Sequence, residues 1–473
     1  MNIDKGLYFN DLRTIQAHLP ENYSRTFGQM IVHYYLHLIK SPHVNRVSAG
    51  GVKHQIAKVL RGIQSNKELN KNHVTKGLLV WIAENNHLPQ ALPVTRLLSE
   101  KNYSITYIST KKQLLQNPLL NSYNKVLLNL PERKTATPQQ AKAFETALKE
   151  AIAKCNLGAI TEADIPTIVK AFREDVAYTQ KLEEYLQKLI AKINPKAALI
   201  GYDIPTEGRT FTDVLNEKKI PTFMIQHGAM AKVDGIFGTH ITKSIFVYGE
   251  VSKQVLRDSG CKSDIKITGA PYLDSLVQKL HAAGSRQKGK LKVLVAFSGA
   301  GHLTSTEHHK KSIAALVQVA EKNAETTEFY FKLHPKDNRG YYNTALEGKN
   351  LKNVFFALPN SQSNDIFDWA LFADIMLTGA STVAIEAMLC RKPVISLDLT
   401  GDYKELSFIK EEAVKYITTT SELETVIEEA AANNFSAFDS TSNKAAHYAK
   451  KFYGATDGQA AQRCAQLIEP YLN

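Results

Sequence analysis

The chain has 473 residues, of which 44% are apolar and 22% charged. That balance excludes a disordered or fibrous polypeptide, and the length exceeds one ordinary hydrophobic core, so two domains are expected. Lys and Arg outnumber Asp and Glu by 58 to 46, but no zinc finger, arginine tract or other binding module accompanies the charge, and nucleic acid is not an expected partner.

Four cysteines, Cys155, Cys261, Cys390 and Cys464, stand far apart with no C-x-x-C or zinc spacing. This predicts reduced thiols and a cytoplasmic protein. The opening "MNIDKGLYFNDL" has an early acid and no apolar core of a signal peptide, and no apolar run reaches the ~18 residues a membrane span requires.

In chain order, residues 20 to 70 read as helical, because "RTFGQMIVHYYLHLIK" and "GGVKHQIAKVLRGIQ" space apolar residues by three and four. Half of the basic excess lies at this end: residues 1–72 hold ten Lys and Arg against four acids. Such a face meets an anionic membrane surface or phosphorylated substrate, or is simply solvated. From "KGLLVWIA" onward short apolar strands alternate with helices: the strand is followed by the loop "ENNHLPQAL", a helix near "PVTRLLSEK", and strands "YSITYIST" and "NKVLLNL". A helical stretch over 138–193 leads to strand "AALIGYD", helix "FTDVLNEKK", strands "PTFMIQHG" and "SIFVYG", helix "EVSKQVLRDSG" and strand "DIKITG". Residues 279–292, polar and basic, read as a linker. The grammar then restarts with "KVLVAFSG", "EFYFKLHP", "NVFFALP", "ADIMLTG" and "KPVISLDL", with helices between, and the tail is helical.

Strands alternating with helices at this spacing predict parallel sheets covered on both faces. The expected class is α/β, with two Rossmann-like doubly wound domains facing a central cleft and extra N-terminal helices. The expected divisions are a helical extension (1–75), a first Rossmann-like domain (76–280), a second (290–440) and C-terminal helices (441–473) that cross back to the first.

Open parallel sheets bind ligands at the carboxyl ends of their strands, so the residues there are the candidates. In the second domain these are Ser298, Gly299, Gly301, His302 and Thr304 after "KVLVAF", His334, Pro335 and Lys336 after "FYFKL", and Gly379, Ser381 and Thr382 after "ADIMLT", with Glu386 a turn later. Pro335 cannot donate to a ladder and stops its strand. The glycines allow close backbone approach, and amides and hydroxyls at a helix start suit phosphate. Each alone has an ordinary alternative: turn chemistry for the glycines, capping for the hydroxyls and a structural hydrogen bond for the histidine. Their convergence on one sheet edge favours a phosphate cradle.

"FKLHPK", "LTGASTVAIEAMLCRKPVISLDL" and the upstream "PTFMIQHGAM", "SIFVYGE" and "DIKITGAPYLDSL" together resemble the GT-B superfamily of nucleotide-sugar-dependent glycosyltransferases, most of all the branch that builds bacterial capsule, lipopolysaccharide and other surface glycans. The resemblance covers about residues 195 to 470. His-Pro followed by Ser-Thr is similar to the arrangement in sialyl- and Kdo-transferases. It implies a CMP-activated ulosonic acid as donor, His334 stabilising or protonating the leaving phosphate, Ser381 and Thr382 binding it, and Glu386 holding a ribose or sugar hydroxyl.

Donors aimed at a phosphate that gains charge favour the transition state over the ground state. No metal or cofactor is expected. The adjacent acidic pair of the sialyltransferases is absent, and the nearest equivalents are Asp203, Glu207, Gly208 and Arg209 in "YDIPTEGR" and Asp234 with Gly235 in "KVDG". Glu207 or Asp203, on a loop expected to overhang the cleft, is the candidate base, a surface-loop acid being the alternative. Gln226, His227 and Gly228 of "IQHG", with Arg209 and His87, are candidates for acceptor binding, Glu84 being an outside one, and Asp274 is expected to cap a helix.

The expected function is inverting transfer of a sugar to a glycan or lipid-linked acceptor, on or near the inner membrane face. The alternatives are a UDP-N-acetylglucosamine 2-epimerase-like enzyme, a CDP-glycerol glycerophosphotransferase, or a non-catalytic GT-B scaffold. The epimerases normally show Glu-Glu-Ala after their glycine pair, where this chain has a single Glu386 in "AIEAM", which weighs against them.

Overall fold

The computed structural model describes residues 5–38, 77–128, 130–131, 134–228, 230, 235–277, 279, 289–300, 304–334, 337–359, 363 and 365–473. The chain forms two compact units, Met1–Asp274 together with Asp457–Asn473, and Ser275–Thr456. Each is a parallel-sheet α/β body, as the alternating pattern predicts.

The first unit contains β1 (Leu78–Trp81), β2 (Ile105–Ser109), β3 (Asn124–Leu127), β4 (Ala197–Ile200), β5 (Thr222–Ile225), β6 (Ser244–Val247) and β7 (Asp264–Ile267). Their order is β3-β2-β1-β4-β5-β6-β7, and β1 pairs in parallel with both β2 and β4. The central strands β1 and β4 are apolar at every position because both faces are covered. Leu78 and Val80 pack into the core that includes Cys464 and Ile468 of the C-terminal helix Ala460–Ile468. Leu79 and Trp81, pointing the other way, meet Leu182 and Leu186 of the helix Ile165–Ile193.

The second unit contains β8 (Leu291–Val295), β9 (Thr327–Phe331), β10 (Val354–Phe355), β11 (Ile375–Thr378), β12 (Val394–Leu397) and β13 (Lys415–Ile417), ordered β10-β9-β8-β11-β12-β13. The winding therefore reverses between β1 and β4 in one sheet and between β8 and β11 in the other. Those reversals open the crevices where ligands enter such sheets.

Several elements differ from the sequence expectation. The helix expected from Pro93 begins at Leu88, since Pro89 is tolerated in a first turn, and it carries Pro93 in its interior. The stretch 138–193 is two helices, Pro138–Ala153 and Ile165–Ile193, the first opened by a reciprocal Thr137–Gln140 capping box. The helix expected from Phe211 begins at Thr206. In the tail, Asp439–Tyr453 packs on Val383–Leu389 within the second unit, whereas Ala460–Ile468 packs on Leu88–Glu100 within the first.

At the N-terminus, α1 (Lys5–His18) and α2 (Glu21–Leu38) turn Phe9, Leu12, Phe27, Met30 and Tyr34 into a core shared with Phe144 and Phe172. The Asp11 carboxylate fastens this layer by accepting backbone N–H bonds from Gly158, Ala159 and Ile160 at 2.6–3.0 Å. The described part of the extension thus packs on the first unit. The second expected helix there and the basic residues from Lys40 to Lys71 lie outside the described residues. No described helix is long and apolar enough to cross a membrane.

Candidate functional site

In the second unit, β8 runs out through Ala296 and Phe297 to Ser298 and Gly299. Gly299 has φ +77°, and a Cβ there would lie 3.1 Å from Cγ of Asp337. Both the left-handed backbone and the close approach call for glycine. Asp337 follows β9 in "HPKD" and donates its backbone N–H to the His334 carbonyl at 2.8 Å. Its buried carboxylate accepts from His309 Nε2 at 2.9 Å, Tyr342 Oη at 2.7 Å and the Asn338 amide at 2.8 Å. Burial works to raise the pKa of Asp337, but the bonds from His309 and Tyr342 and the charge of His309 outweigh it and hold the group below the usual carboxylate range. Asp337 thereby ties the loop after β9 to two helices and holds exposed His334 at the sheet edge. Gly301, His302, Pro335 and Lys336 lie outside the described residues.

Beside β8, β11 ends at Thr378 and is followed by Gly379, then by Ser381, partly buried, and Thr382, exposed. A Cβ on Gly379 would lie 3.0 Å from the Tyr403 ring. That ring stacks on His308 at 4.7 Å, and its hydroxyl meets Thr304 Oγ1 at 2.8 Å. The loop carrying Tyr403 is gathered by Asp398, whose buried carboxylate accepts backbone N–H bonds from Thr400, Gly401, Asp402 and Tyr403 and the hydroxyl of Tyr416.

Thr382 precedes the short helix Val383–Leu389 and makes no side-chain capping bond there. Glu386 sits partly buried in that helix. Burial, then the charge of Asp365, pushes its carboxyl up to about 7, against the pull of Lys332. β9 and β11 flank β8 in the sheet, so the edges carrying His334 and Ser381 stand two strand spacings apart, roughly 10 Å.

The first unit overturns one expectation directly. Asp203 does not overhang anything: it is fully buried, paired with His240 Nδ1, and accepts from the Ile241 and Thr242 amides at 2.8 and 2.9 Å. Burial opposes its charge, but His240 and the backbone bonds hold its pKa down to about 2. An acid so held is a strap, not a base that takes a proton near neutrality. Arg209 is also buried and donates to the Thr239 carbonyl. Glu207 lies in the first turn of Thr206–Glu217 rather than on a loop, and it accepts from Tyr178 Oη at 2.9 Å. Gly208 makes room for the Tyr202 carbonyl, which would lie 2.0 Å from a Cβ.

Gln226 is buried and staples its own turn, donating to the Gly228 carbonyl at 2.8 Å and accepting from the Tyr248 amide at 2.9 Å. Engaged at both ends and without exposed surface, its side chain is turned inward, while Gly228 beside it is exposed. His87 is buried, accepts from the Ala83 amide at 3.1 Å, and packs so closely on Gly201 that a Cβ there would meet its Nδ1 at 2.1 Å. His227 lies between His87 and Tyr202, with ring centroids at 4.5 and 4.8 Å. Burial, then neighbouring imidazoles, lowers His87 to about 3 and His227 to about 4, so both rings are neutral at pH 7. The crevice between β1 and β4 is thus walled by neutral imidazoles and a phenol.

Glu84 pairs with Lys111 at 2.6 Å. Asp274 accepts from the Ala460 and Ala461 amides at 3.1 and 2.7 Å, so it caps a helix distant in sequence. Asp234 lies outside the described residues, and Gly235 adopts φ +72°. Among the described residues one group has metal-ligand proximity, His33, His37 and Glu174, with ligand atoms within 4.8 Å of one another, in the helical layer of the first unit.

Sequence reasoning missed Asp337, Asp398 and His240. Asp398 had a usable signal, since Asp followed by Thr400 and Gly401 is an Asx-type turn. Asp337 and His240 had none, because their partners lie elsewhere in the chain.

The family model described as UDP-N-acetylglucosamine 2-epimerase matches residues 232–469, just over half of the sequence. The chain belongs to the UDP-N-acetylglucosamine 2-epimerase family. Among solved structures, this epimerase-family chain is similar to the S. aureus MnaA–UDP co-structure, at 13% identity and TM-score 0.52 over 84% of this chain and 97% of that one. It is also similar to the UDP-GlcNAc 2-epimerase of Methanocaldococcus jannaschii, at 15% identity and TM-score 0.51 over 83% of this chain and 99% of that one. At such identities the likeness concerns the fold, which is GT-B-like. No curated protein matches the sequence. The single acid at Glu386, which weighed against the epimerases, does not keep this chain out of their family, and no finding supports the CMP-sugar transferases expected from His-Pro and Ser-Thr.

Proposed function

We propose that this protein is an enzyme acting on a UDP-activated N-acetylamino sugar, inverting the sugar at C2. The observation that carries the proposal is the epimerase family match, which spans all the strand-end groups of the second unit, from Ser298 to Glu386. In this reading the amides and hydroxyls of Gly299, Gly379, Ser381 and Thr382 receive the diphosphate at the β8/β11 crevice. The carboxyl of Glu386, poised near neutrality by burial and Asp365, hydrogen-bonds the ribose or sugar in either protonation state. His334, on the neighbouring strand end, supports the charge that grows on the diphosphate. The C2–H bond of such a sugar is not acidic, so its proton passes to a basic group of the site as the C1–O bond to the diphosphate breaks and a C1=C2 double bond forms; return of the diphosphate to C1 and of a solvent-exchanged proton to the opposite face of C2 restores both bonds and inverts the centre. The reading needs no metal ion.

The protein is incubated with UDP-N-acetylglucosamine in deuterated water and followed by proton NMR. The C2 epimer and loss of the C2 proton signal are expected. Binding of UDP with no epimer and no exchange, under conditions where an added acceptor is glycosylated, rejects the proposal.

The second reading is glycosyl transfer from a nucleotide donor to a glycan or lipid-linked acceptor. It is favoured by one observation, the single Glu386 in "AIEAM" where epimerases carry a doubled acid. Calorimetric titration with UDP, CMP and CDP separates the donor classes. Tight binding of CMP alone favours the transferase.

A further inference from the structure

A cleft of about 570 Å³ lies within the first unit, between α1, α2 and the segment that leads into β6. Arg13 from α1, Arg209, Lys243 and Lys262 line it, and none of the described residues lining it is acidic. The volume falls within the range of small-molecule sites, about 300–1,000 Å³.

Three polar atoms of the lining residues are buried without a hydrogen-bond partner, Arg209 Nε, His240 Nε2 and Thr242 Oγ1, while the Ser263 hydroxyl bonds Cys261. Arg209 and His240 are themselves 9% and 3% exposed. A buried polar group left unpaired is costly, and native proteins keep few of them. Three around one cleft need a common explanation. The His240 ring is oriented by Asp203 on Nδ1, which leaves Nε2 on its far side. Arg209 is likewise fixed, through the Thr239 carbonyl.

The charge balance points the same way. Burial, then the adjacent Arg209, lowers the pKa of Arg13, so two guanidinium groups are held near each other. Among the described residues no carboxylate forms an ion pair with Arg13. Burial lowers the pKa of Arg209 against the pull of Asp213 and Asp203, and neither acid lines the cleft. A purely structural role for Arg209, balancing those two acids, accounts for neither Arg13 and Lys262 nor the orphaned Thr242 hydroxyl.

We propose that this cleft binds a phosphate-bearing anion, at a site separate from the strand ends of the second unit. Guanidinium forks and hydroxyls around one concavity match the geometry and charge of phosphate oxygens. The phosphate is either soluble or carried on a lipid headgroup, and the N-terminal helices, through Arg13, are what complete its site.

Three measurements test this. Crystals soaked in tungstate, a phosphate-shaped anion with a strong anomalous signal, are expected to show a peak between Arg13 and Arg209. Calorimetry with inorganic pyrophosphate, in excess UDP to occupy the strand-end site, is expected to show at least tenfold weaker binding in Arg13→Gln/Lys262→Gln with an unchanged melting temperature. Lys262→Gln alone, at an exposed position, serves if the double variant misfolds, and is expected to weaken binding severalfold. Cosedimentation with phosphatidylglycerol vesicles against phosphatidylcholine vesicles assigns the source: binding lost in the variant means a lipid phosphate, and no vesicle binding with pyrophosphate binding retained means a soluble one. Absence of the tungstate peak, or equal pyrophosphate affinity in wild type and variants, overturns the proposal.

Discussion

Asp203→Ala separates a structural acid from a catalytic one. The substitution strands three donors, the Ile241 and Thr242 amides and the His240 ring, in a site with no exposure. At roughly 1–1.5 kcal/mol for each lost bond, and more for the bond to an ionised partner, the expected cost is about 3–5 kcal/mol. Proton linkage gives a consistent figure: a carboxyl held at about 2 in the fold, against an ordinary 3.8, contributes about 2 kcal/mol at neutral pH. Because the folded value is depressed, that contribution is complete above the unfolded pKa and is lost as pH falls from 3.8 towards 2. Scanning calorimetry at neutral pH is therefore expected to show a melting temperature lower by roughly 5–8 °C, with the gap between variant and wild type closing in acid. The reasoning is refuted if Asp203→Ala melts within about 1 °C of wild type, as an inert surface change would, yet has lost turnover.

Glu386→Gln is expected to melt higher than wild type at about pH 8 and alike at about pH 5. The folded carboxyl is raised to about 7 from 4.5, so wild-type stability falls by about 3 kcal/mol as pH rises through that window; a flat wild-type profile contradicts this. Gly299→Ala, at φ +77° and against Asp337, is expected to cost roughly 1–2 kcal/mol in backbone strain alone, measured by urea melts, and to weaken UDP binding; an unchanged midpoint and affinity count against the packing described. His334→Ala, at an exposed position, is expected to abolish turnover with circular dichroism and melting unchanged, and full activity in that variant rejects its assigned role.

Much of the strand-end set was visible in the chain because a parallel βαβ pattern tells where each strand stops. "FYFKLHPKD" announces a buried strand, a proline stop and a histidine at the edge without any coordinates. The partner of Asp337 is not visible in sequence, since His309 lies 28 residues earlier, on the helix Thr306–Lys322. The placement of Asp203 was missed for a similar reason. An acid three residues past a strand reads alike in sequence whether its loop overhangs the sheet or folds onto it, and here the decision belongs to the amides of Ile241 and Thr242, 38 and 39 residues downstream. Gln226 reads as an acceptor-binding residue because a polar strand end looks available, whereas the folded turn engages both ends of its amide.

What the sequence alone determined is what local chemistry controls: two doubly wound parallel-sheet units with added helices, and the row of small, hydroxyl and imidazole residues at the strand ends of the second. Only the tertiary structure decided which polar groups are consumed internally and which are left over. Burial and hydrogen-bond partnership arise from segments that meet in space after long separations in sequence. That is why Asp203 became a strap, and why Arg13, unremarked in the chain, stands beside Arg209 at a cleft with no acid in its described lining.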